Sequence, residues 1–201
     1  MIKAIIFDFD GVIGNTYDIN FEVSKIFDSN MTEQDFIDHH KGNVFEEPKI
    51  KFKPEEIPVF FEKQKQKFTP EHFFPLEKIL GKLKKEFQLF VISSTIDENI
   101  KYFLEIGHYD HFFQKILGAT THRSKVEKFK TIFSQYDLKA EECLFITDTI
   151  GDIIEARKVN IKTIGVTWGY HRKELLFEQK PFAIVDNAEE LLNVINNLCN
   201  E

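Results

Sequence analysis

Cysteine is scarce in this 201-residue chain: Cys143 and Cys199 are the only two, which excludes a disulfide framework or a cysteine-based zinc site. Long apolar runs are also missing. No stretch reaches the roughly 20 residues that a membrane helix needs, and a carboxylate arrives at Asp8, too early for a signal peptide. Positive charge is in deficit, with 26 Lys and Arg against 33 Asp and Glu and a net charge of −7. Nucleic acid is therefore not expected as the main partner, because phosphate contacts need a basic face. A local basic patch for a small anion remains compatible with that balance. No internal repeat or low-complexity segment occurs. These absences predict a cytoplasmic globular protein with no membrane partner, in which Cys143 is a structural residue opening a buried strand.

What is present fits a packed domain. Hydrophobic residues make up 42% and charged residues 29% of a chain long enough for one domain, or one domain with an insertion. Phenylalanine is abundant, with 22 copies, many paired as in Phe60-Phe61, Phe73-Phe74 and Phe112-Phe113. Most are expected in the core or between domains.

The opening stretch organises the rest. Ala4 to Phe7 is a short apolar run rich in β-branched residues, which reads as a buried strand. Asp8 and Asp10 close it, and Gly11 and Gly14 break it into a loop. Alternation in an extended chain puts both carboxylates on one side, a costly arrangement unless a cation is shared. Taken alone, such a pair also suits an ordinary turn.

From Thr16 to about residue 75 the pattern is helical. A first helix should turn Phe21, Ile26 and Phe27 inward, Met31 to Asp38 a second, and Glu55 to Phe68 a third. Lys41 to Pro54, with one Gly, two Pro and four Lys before the last Pro, reads as loop. These residues predict a helical module inserted directly after the first strand.

Beyond residue 75 helices and strands alternate. Leu76 to Phe87 has helical spacing, and Leu89 to Ile92 is an apolar strand ending in Ser93-Ser94-Thr95. Thr95 with Glu98, and Ser124 with Glu127, suggest capping boxes for two helices with Lys115 to Ala119 as a strand between them. Cys143 to Ile146 is a further strand running into Thr147-Asp-Thr-Ile-Gly-Asp152, followed by a helix to Val159 with Asn160 left-handed. Ile161 to Val166 and Phe182 to Val185 are the last strands. Arg172 to Phe177 is helical, and Asp186 should cap a final helix carrying Leu191, Ile195 and Leu198. The fold class expected is α/β: a three-layer, Rossmann-like parallel sheet core (1–14 and 76–201) with an inserted helical cap (15–75).

In such a sheet the carboxyl ends of all strands share one edge. Asp8 and Asp10, Ser93 and Ser94, and Asp148 with Asp152 follow three strands, and Lys125 opens a helix beyond another. Taken alone, each has a bland explanation: Ser93 ends a strand, Lys125 is solvated, and Asp148 and Asp152 cap a helix. Together they predict one site.

In these motifs the chain resembles the haloacid dehalogenase-like superfamily. Asp8-Phe-Asp-Gly-Val12 is similar to its first motif, Leu89 to Ser93 to its second, Lys125 to its third and Asp148-Thr-Ile-Gly-Asp152 to its fourth. Thr167-Trp-Gly-Tyr170, followed by a helix and Pro181, is similar to the phosphoglycolate phosphatase-like branch, whose cap enters at the same place.

The resemblance implies a Mg²⁺-dependent phosphatase acting on a small phosphorylated metabolite. Asp8 would be the nucleophile forming an aspartyl-phosphate, and Asp10 the acid and then the base. Mg²⁺ would be held by Asp8, the Asp10 carbonyl and Asp148, with Asp152 holding Lys125 or a water on the metal. Ser93, Ser94, Lys125 and backbone N–H groups would hold the phosphoryl oxygens. A phosphosugar mutase would use the same two carboxylates, and a non-catalytic binding protein would keep the fold without turnover. Three departures stand out: Val12 where Thr is frequent, Asn15 where Asp is frequent, and Thr147, expected only to narrow the turn before Asp148. The seven histidines read as structural or surface residues, except that His40-Lys41 sits where it could lie over the site and read the rest of the substrate.

Overall fold

The computed structural model describes residues 1–46 and 48–199. Six strands form one parallel sheet: β1 (Ala4–Phe7), β2 (Gln88–Ile92), β3 (Lys115–Leu117), β4 (Cys143–Thr147), β5 (Lys162–Val166) and β6 (Ala183–Val185). Their order is β3-β2-β1-β4-β5-β6, with Phe7 in register with Val91 on one side and Ile146 on the other. The expected doubly covered sheet is what the chain forms.

The period of two decides which residues serve which layer. Ile5, Phe7, Leu89, Val91, Leu144 and Ile146 face one core, which is closed by α4 (Glu77–Leu83), α5 (Asp97–Ile106) and α9 (Ala188–Cys199). Ala4, Ile6, Phe90, Ile92, Cys143 and Phe145 face the other, against α6 (Lys125–Tyr136) and α7 (Ile150–Lys158). A shorter helix, α8 (Lys173–Glu178), packs Leu176 against Ile150 and Ile153. Because both faces are covered, the strands read as continuous apolar runs rather than alternating ones.

The insertion comprises α1 (Tyr17–Phe27), α2 (Glu33–His39) and α3 (Glu56–Lys67). Its two connections to the sheet run side by side: Asn15 N–H donates to the His72 carbonyl (2.6 Å) and Phe74 N–H to that of Ile13 (3.0 Å). Stacked rings weld this junction to α5. Phe103 lies between Phe68, at 4.2 Å, and Phe9, at 5.7 Å, while Phe73 stacks on Tyr109 at 4.6 Å. Much of the phenylalanine therefore packs where expected, though Phe177 and Phe182 are exposed.

Several local expectations are corrected. Ile26 is solvent-exposed, because α1 turns Ile19, Val23 and Ser24 inward instead. α2 begins at Glu33, with Thr32 and Asp35 forming its capping box. Neither proposed box caps α5 or α6: the α5 cap is Ile96, and Ser124 caps α6 without a side-chain bond to its backbone. Both hydroxyls are drawn to tertiary partners, Thr95 to Asp10 and Ser124 to Glu155. At α9, Asn187 rather than Asp186 accepts the Glu190 N–H (2.9 Å), while Asp186 pairs with Lys173 (2.6 Å). Asn160 is left-handed at φ 60°, as expected. Cys143 is buried, as expected of a structural residue; the Cys199 side chain lies outside what is described.

Phe145 is fully buried, edge-on to Phe129 at 5.0 Å. Phe145→Ala should lower unfolding free energy by about 3–5 kcal/mol, read as a reduced urea midpoint at unchanged slope.

Candidate active site

β1 and β4 are neighbours in the sheet although the chain leaves them in opposite directions, so a crevice opens at their carboxyl ends. Asp8 leaves β1 there, its N–H still bonded to the Ile146 carbonyl (2.9 Å). α6 delivers Lys125 to the same point, where Nζ bonds Asp8 Oδ2 (2.7 Å) and Asp152 Oδ2 (2.5 Å). All three side chains are buried. Although burial opposes its charge, the Asp152 and Asp8 carboxylates keep the Lys125 ammonium protonated above its ordinary range. Burial likewise resists ionisation of Asp152, yet Lys125 and donated bonds hold its pKa below the usual carboxylate value. One of those bonds comes from Thr147 Oγ1 (2.6 Å), so Thr147 does more than narrow a turn. Asp8 goes the other way: burial pushes its carboxyl well above the ordinary range, and Lys125 offsets this only in part.

Asp148, next along the β4 edge, is fully buried. Its Oδ2 accepts the Tyr170 N–H (2.7 Å), but Oδ1 has no hydrogen-bond partner among the described residues. Burial pushes this carboxyl up to about 7. A buried oxygen without a donor is expensive unless a cation serves it. Gly11 permits this placement: at φ +72°, a Cβ there would fall 1.9 Å from Asp148 Oδ2. The donor set therefore fits a hard cation with oxygen ligands, supplied by Asp8, Asp148 and the main chain. The four aspartates do not themselves form a closed cage: among the described residues, no three His, Cys, Asp or Glu side chains group as metal ligands. Asp152 is occupied by Lys125, and the Asp10 carboxylate turns elsewhere.

Asp10 is the hub of a polar network that the sequence did not announce. Oδ1 accepts from Thr16 Oγ1 (2.9 Å), and Oδ2 from Ser93 Oγ (2.8 Å) and Thr95 Oγ1 (2.9 Å). Behind these, Gln64 Nε2 donates to Asn20 Oδ1 (3.0 Å) and Thr95 Oγ1 (3.2 Å), and Asn99 Nδ2 donates to Gln64 Oε1 (3.2 Å). The Tyr170 hydroxyl accepts from Asn20 Nδ2 (2.8 Å) and lies 3.0 Å from Thr16 Oγ1. α1 and α3 of the insertion are thus bonded to the sheet edge through Asp10. Ser93 is fully buried with its hydroxyl on Asp10, whereas half-buried Ser94 borders the open cavity. The Ser93 carbonyl accepts from buried Lys128, whose amine burial lowers to about 7.

A cavity of about 440 Å³ opens above these groups. Asp8, Asp10, Ser94, Lys125 and Asp152 form its floor, and the insertion supplies its roof. Glu155 links the two, accepting from Lys125 N–H (2.9 Å), Ser124 Oγ (3.1 Å) and Asn43 Nδ2 (3.0 Å). Gly151 makes this approach possible, since a Cβ there would lie 2.5 Å from the Gly42 carbonyl oxygen. His40 borders the cavity as expected, but Lys41 is not among its lining residues and pairs with Asp38 at 2.7 Å. His171 is structural: Nδ1 accepts the Ile150 N–H (3.0 Å) and Nε2 faces the Ile37 carbonyl (3.1 Å).

The family model described as haloacid dehalogenase-like hydrolase matches residues 5–166. The chain belongs to that family. It is 24% identical over 216 residues to pyrophosphatase PpaX of Anoxybacillus flavithermus, covering 96% of this chain and 97% of that one. It is 25% identical over 141 residues to a phosphoglycolate phosphatase of Vibrio cholerae, covering 68% of this chain and 62% of that one. A predicted phosphatase from Clostridium acetobutylicum superposes with a TM-score of 0.79 at 23% identity, covering 98% and 99%. A β-phosphoglucomutase from Clostridium difficile does so with 0.75 at 19% identity, covering both chains fully. At these identities the two structures establish a common fold. Among the described residues, no helix is long and apolar enough to cross a membrane.

Two predictions follow from the geometry. Gln64 is fully buried, so Gln64→Leu leaves Asn20, Thr95 and Asn99 short of partners. Denaturant melts should show a loss of about 1–3 kcal/mol. His40, half-buried against Phe36, His39 and Tyr170 at the cavity edge, is pushed down to about 3, chiefly by burial. The unfolded chain takes up that proton near the ordinary histidine value of about 6.5 while the folded one does not. Stability from this residue is therefore complete above about 6.5 and declines as pH falls towards 3. In His40→Asn, urea midpoints measured from pH 7 to 4 should fall less steeply than in the unsubstituted protein.

Proposed function

We propose that the chain is a Mg²⁺-dependent phosphatase that hydrolyses a small phosphate monoester through an aspartyl-phosphate on Asp8. The observation that carries this reading is the buried Asp8–Lys125–Asp152 triad beside Asp148, whose Oδ1 lacks a partner among the described residues. Asp8, Asp148 and the Asp10 backbone carbonyl would hold the cation. When bound, Mg²⁺ would offset the negative charge that the carboxylates and the phosphate bring together.

In the first step an Asp8 oxygen attacks phosphorus and the bond from phosphorus to the ester oxygen breaks. Asp10 gives its proton to the departing alkoxide. In the second step water attacks the aspartyl-phosphate, Asp10 takes a proton from that water, and inorganic phosphate leaves with the Asp8 carboxylate restored. Lys125, Ser94 and the backbone N–H groups after Asp8 hold the phosphoryl oxygens, where positioned charge lowers the barrier. Ser93 joins them only by releasing Asp10. Asp152 keeps Lys125 charged and aimed. The names of the relatives, a pyrophosphatase and a phosphoglycolate phosphatase, support phosphoryl transfer from a small compound. A mutase would need the same carboxylates plus a surface for sugar hydroxyls, and the largely apolar roof favours hydrolysis over that alternative.

Asp8→Asn keeps the shape and removes the nucleophile. Phosphate release from a monoester panel with Mg²⁺ should fall more than about a thousandfold, and chelation should silence the unsubstituted protein. Equal release by both proteins would refute the assignment of Asp8.

A further inference from the structure

The cavity is divided by chemistry. Its floor is charged, but its roof is built from Phe45, Ile50, Phe52, Ile57, Phe60 and Phe61, all from the insertion. The amides and histidines that the insertion adds to the wall already hold protein partners, the histidines through Nδ1. Asn20 bonds the Tyr170 hydroxyl, Asn43 bonds Glu155, His39 Nδ1 accepts the Ile50 N–H, and His40 Nδ1 lies 2.8 Å from the Phe36 carbonyl. Ser24 adds one small hydroxyl, and two exposed cations, Lys51 and Arg123, stand at the border, the latter over the Phe45 ring. A polyhydroxylated leaving group placed under this roof would recover few of its bonds to water. An apolar one would shed its hydration favourably.

We propose that the substrate is a phosphate monoester of an apolar alcohol, its phosphate on the Asp8–Lys125 floor and its hydrocarbon, alkyl or aryl, under the phenylalanine roof. This rests on the phosphatase reading and adds the chemical class of the ester. The volume of about 440 Å³ lies in the range of sites that enclose a whole small molecule. Sugar substrates are disfavoured by the same wall, and the second anionic group of a glycolate or pyrophosphate substrate would find cations only at the border, in Lys51 and Arg123.

Calorimetry with non-hydrolysable phosphonates in the presence of Mg²⁺ tests this independently of turnover. Along methyl-, propyl- and pentylphosphonate, affinity should rise about fourfold per methylene, with a heat-capacity change that grows more negative. Benzylphosphonate distinguishes aryl from alkyl preference. Phosphonoacetate and methylenediphosphonate, which mimic phosphoglycolate and pyrophosphate, should bind no better than methylphosphonate. Ile57→Ser, and separately Phe52→Ser, should flatten the series, reducing the gain from methyl- to pentylphosphonate. A flat series in the unsubstituted protein, or tighter binding of either doubly acidic mimic than of pentylphosphonate, would overturn the proposal. A parallel hydrolysis panel uses pentyl and benzyl phosphate, whose leaving alcohols are no more activated than those of glycerol phosphate. Absence of any hydrolysis there would sink the phosphatase reading while the phosphonate series still decided the ligand class.

Discussion

The structure depends on one buried ammonium group. Lys125 lies buried between Asp8 and Asp152 at the cavity floor, and its charge is tolerable there because two carboxylates meet it. Removing charges from water costs several kcal/mol apiece, so such a cluster persists only with close geometry and further hydrogen bonds. Those bonds are supplied from several elements. Thr147 donates to Asp152, Phe9 N–H donates to Asp8, and Glu155 accepts the N–H of Lys125 itself. The parallel sheet makes this possible by ending β1 and β4 side by side, and α6 and α7 pack on the same face to bring Lys125 and Asp152 within reach.

The same crevice joins two materials. Its floor is a set of largely buried charges, and a phosphoryl group bound there as proposed would meet preorganised donors rather than water. Its roof is hydrocarbon carried on a separate insertion. Gln64 and Asn20 tie that insertion to Asp10, the residue assigned the proton in the proposed reaction. These two contacts, at 3.5 and 3.4 Å, are longer than those from Thr16, Ser93 and Thr95. The position of the insertion and the orientation of Asp10 are consequently features of one network.

Local signals were strong wherever a residue acts through its own neighbourhood in the chain. The apolar runs of β1, β2 and β4 were legible because a strand buried on both faces must be continuously hydrophobic. Asp8, Asp10, Asp148, Asp152 and Lys125 were legible because each follows or opens an element whose end must lie on the same sheet edge. Hydroxyls were misread where they had a choice. Thr95 and Ser124 each stand near a helix start, and either could have capped it, but Asp10 and Glu155 arrive from distant segments and outcompete the local N–H groups. Gln64, Asn20 and Asn99 carry no motif, and Tyr170 was singled out in one that says nothing of its hydroxyl; the bonds that join these four to Thr16, Thr95 and one another span 31 to 154 residues.

By itself, then, the amino-acid order determined the alternation of helices and strands, the place of the insertion, and which charged groups would converge. Those properties follow from periodicity and from the rule that parallel strands share a carboxyl edge. Only the tertiary structure decided which charge pairs with which, that Asp148 keeps an oxygen without a partner, and that Ser93 faces Asp10. It also decided that the insertion presents mainly phenylalanine to the cavity, with Lys51 at its border: Lys41 turns to Asp38 while Phe45, Phe52 and Phe60 turn inward. The physical reason is burial. Desolvation acts on whichever groups the completed fold encloses, and a linear pattern records which residues can be enclosed but not which atoms will face one another.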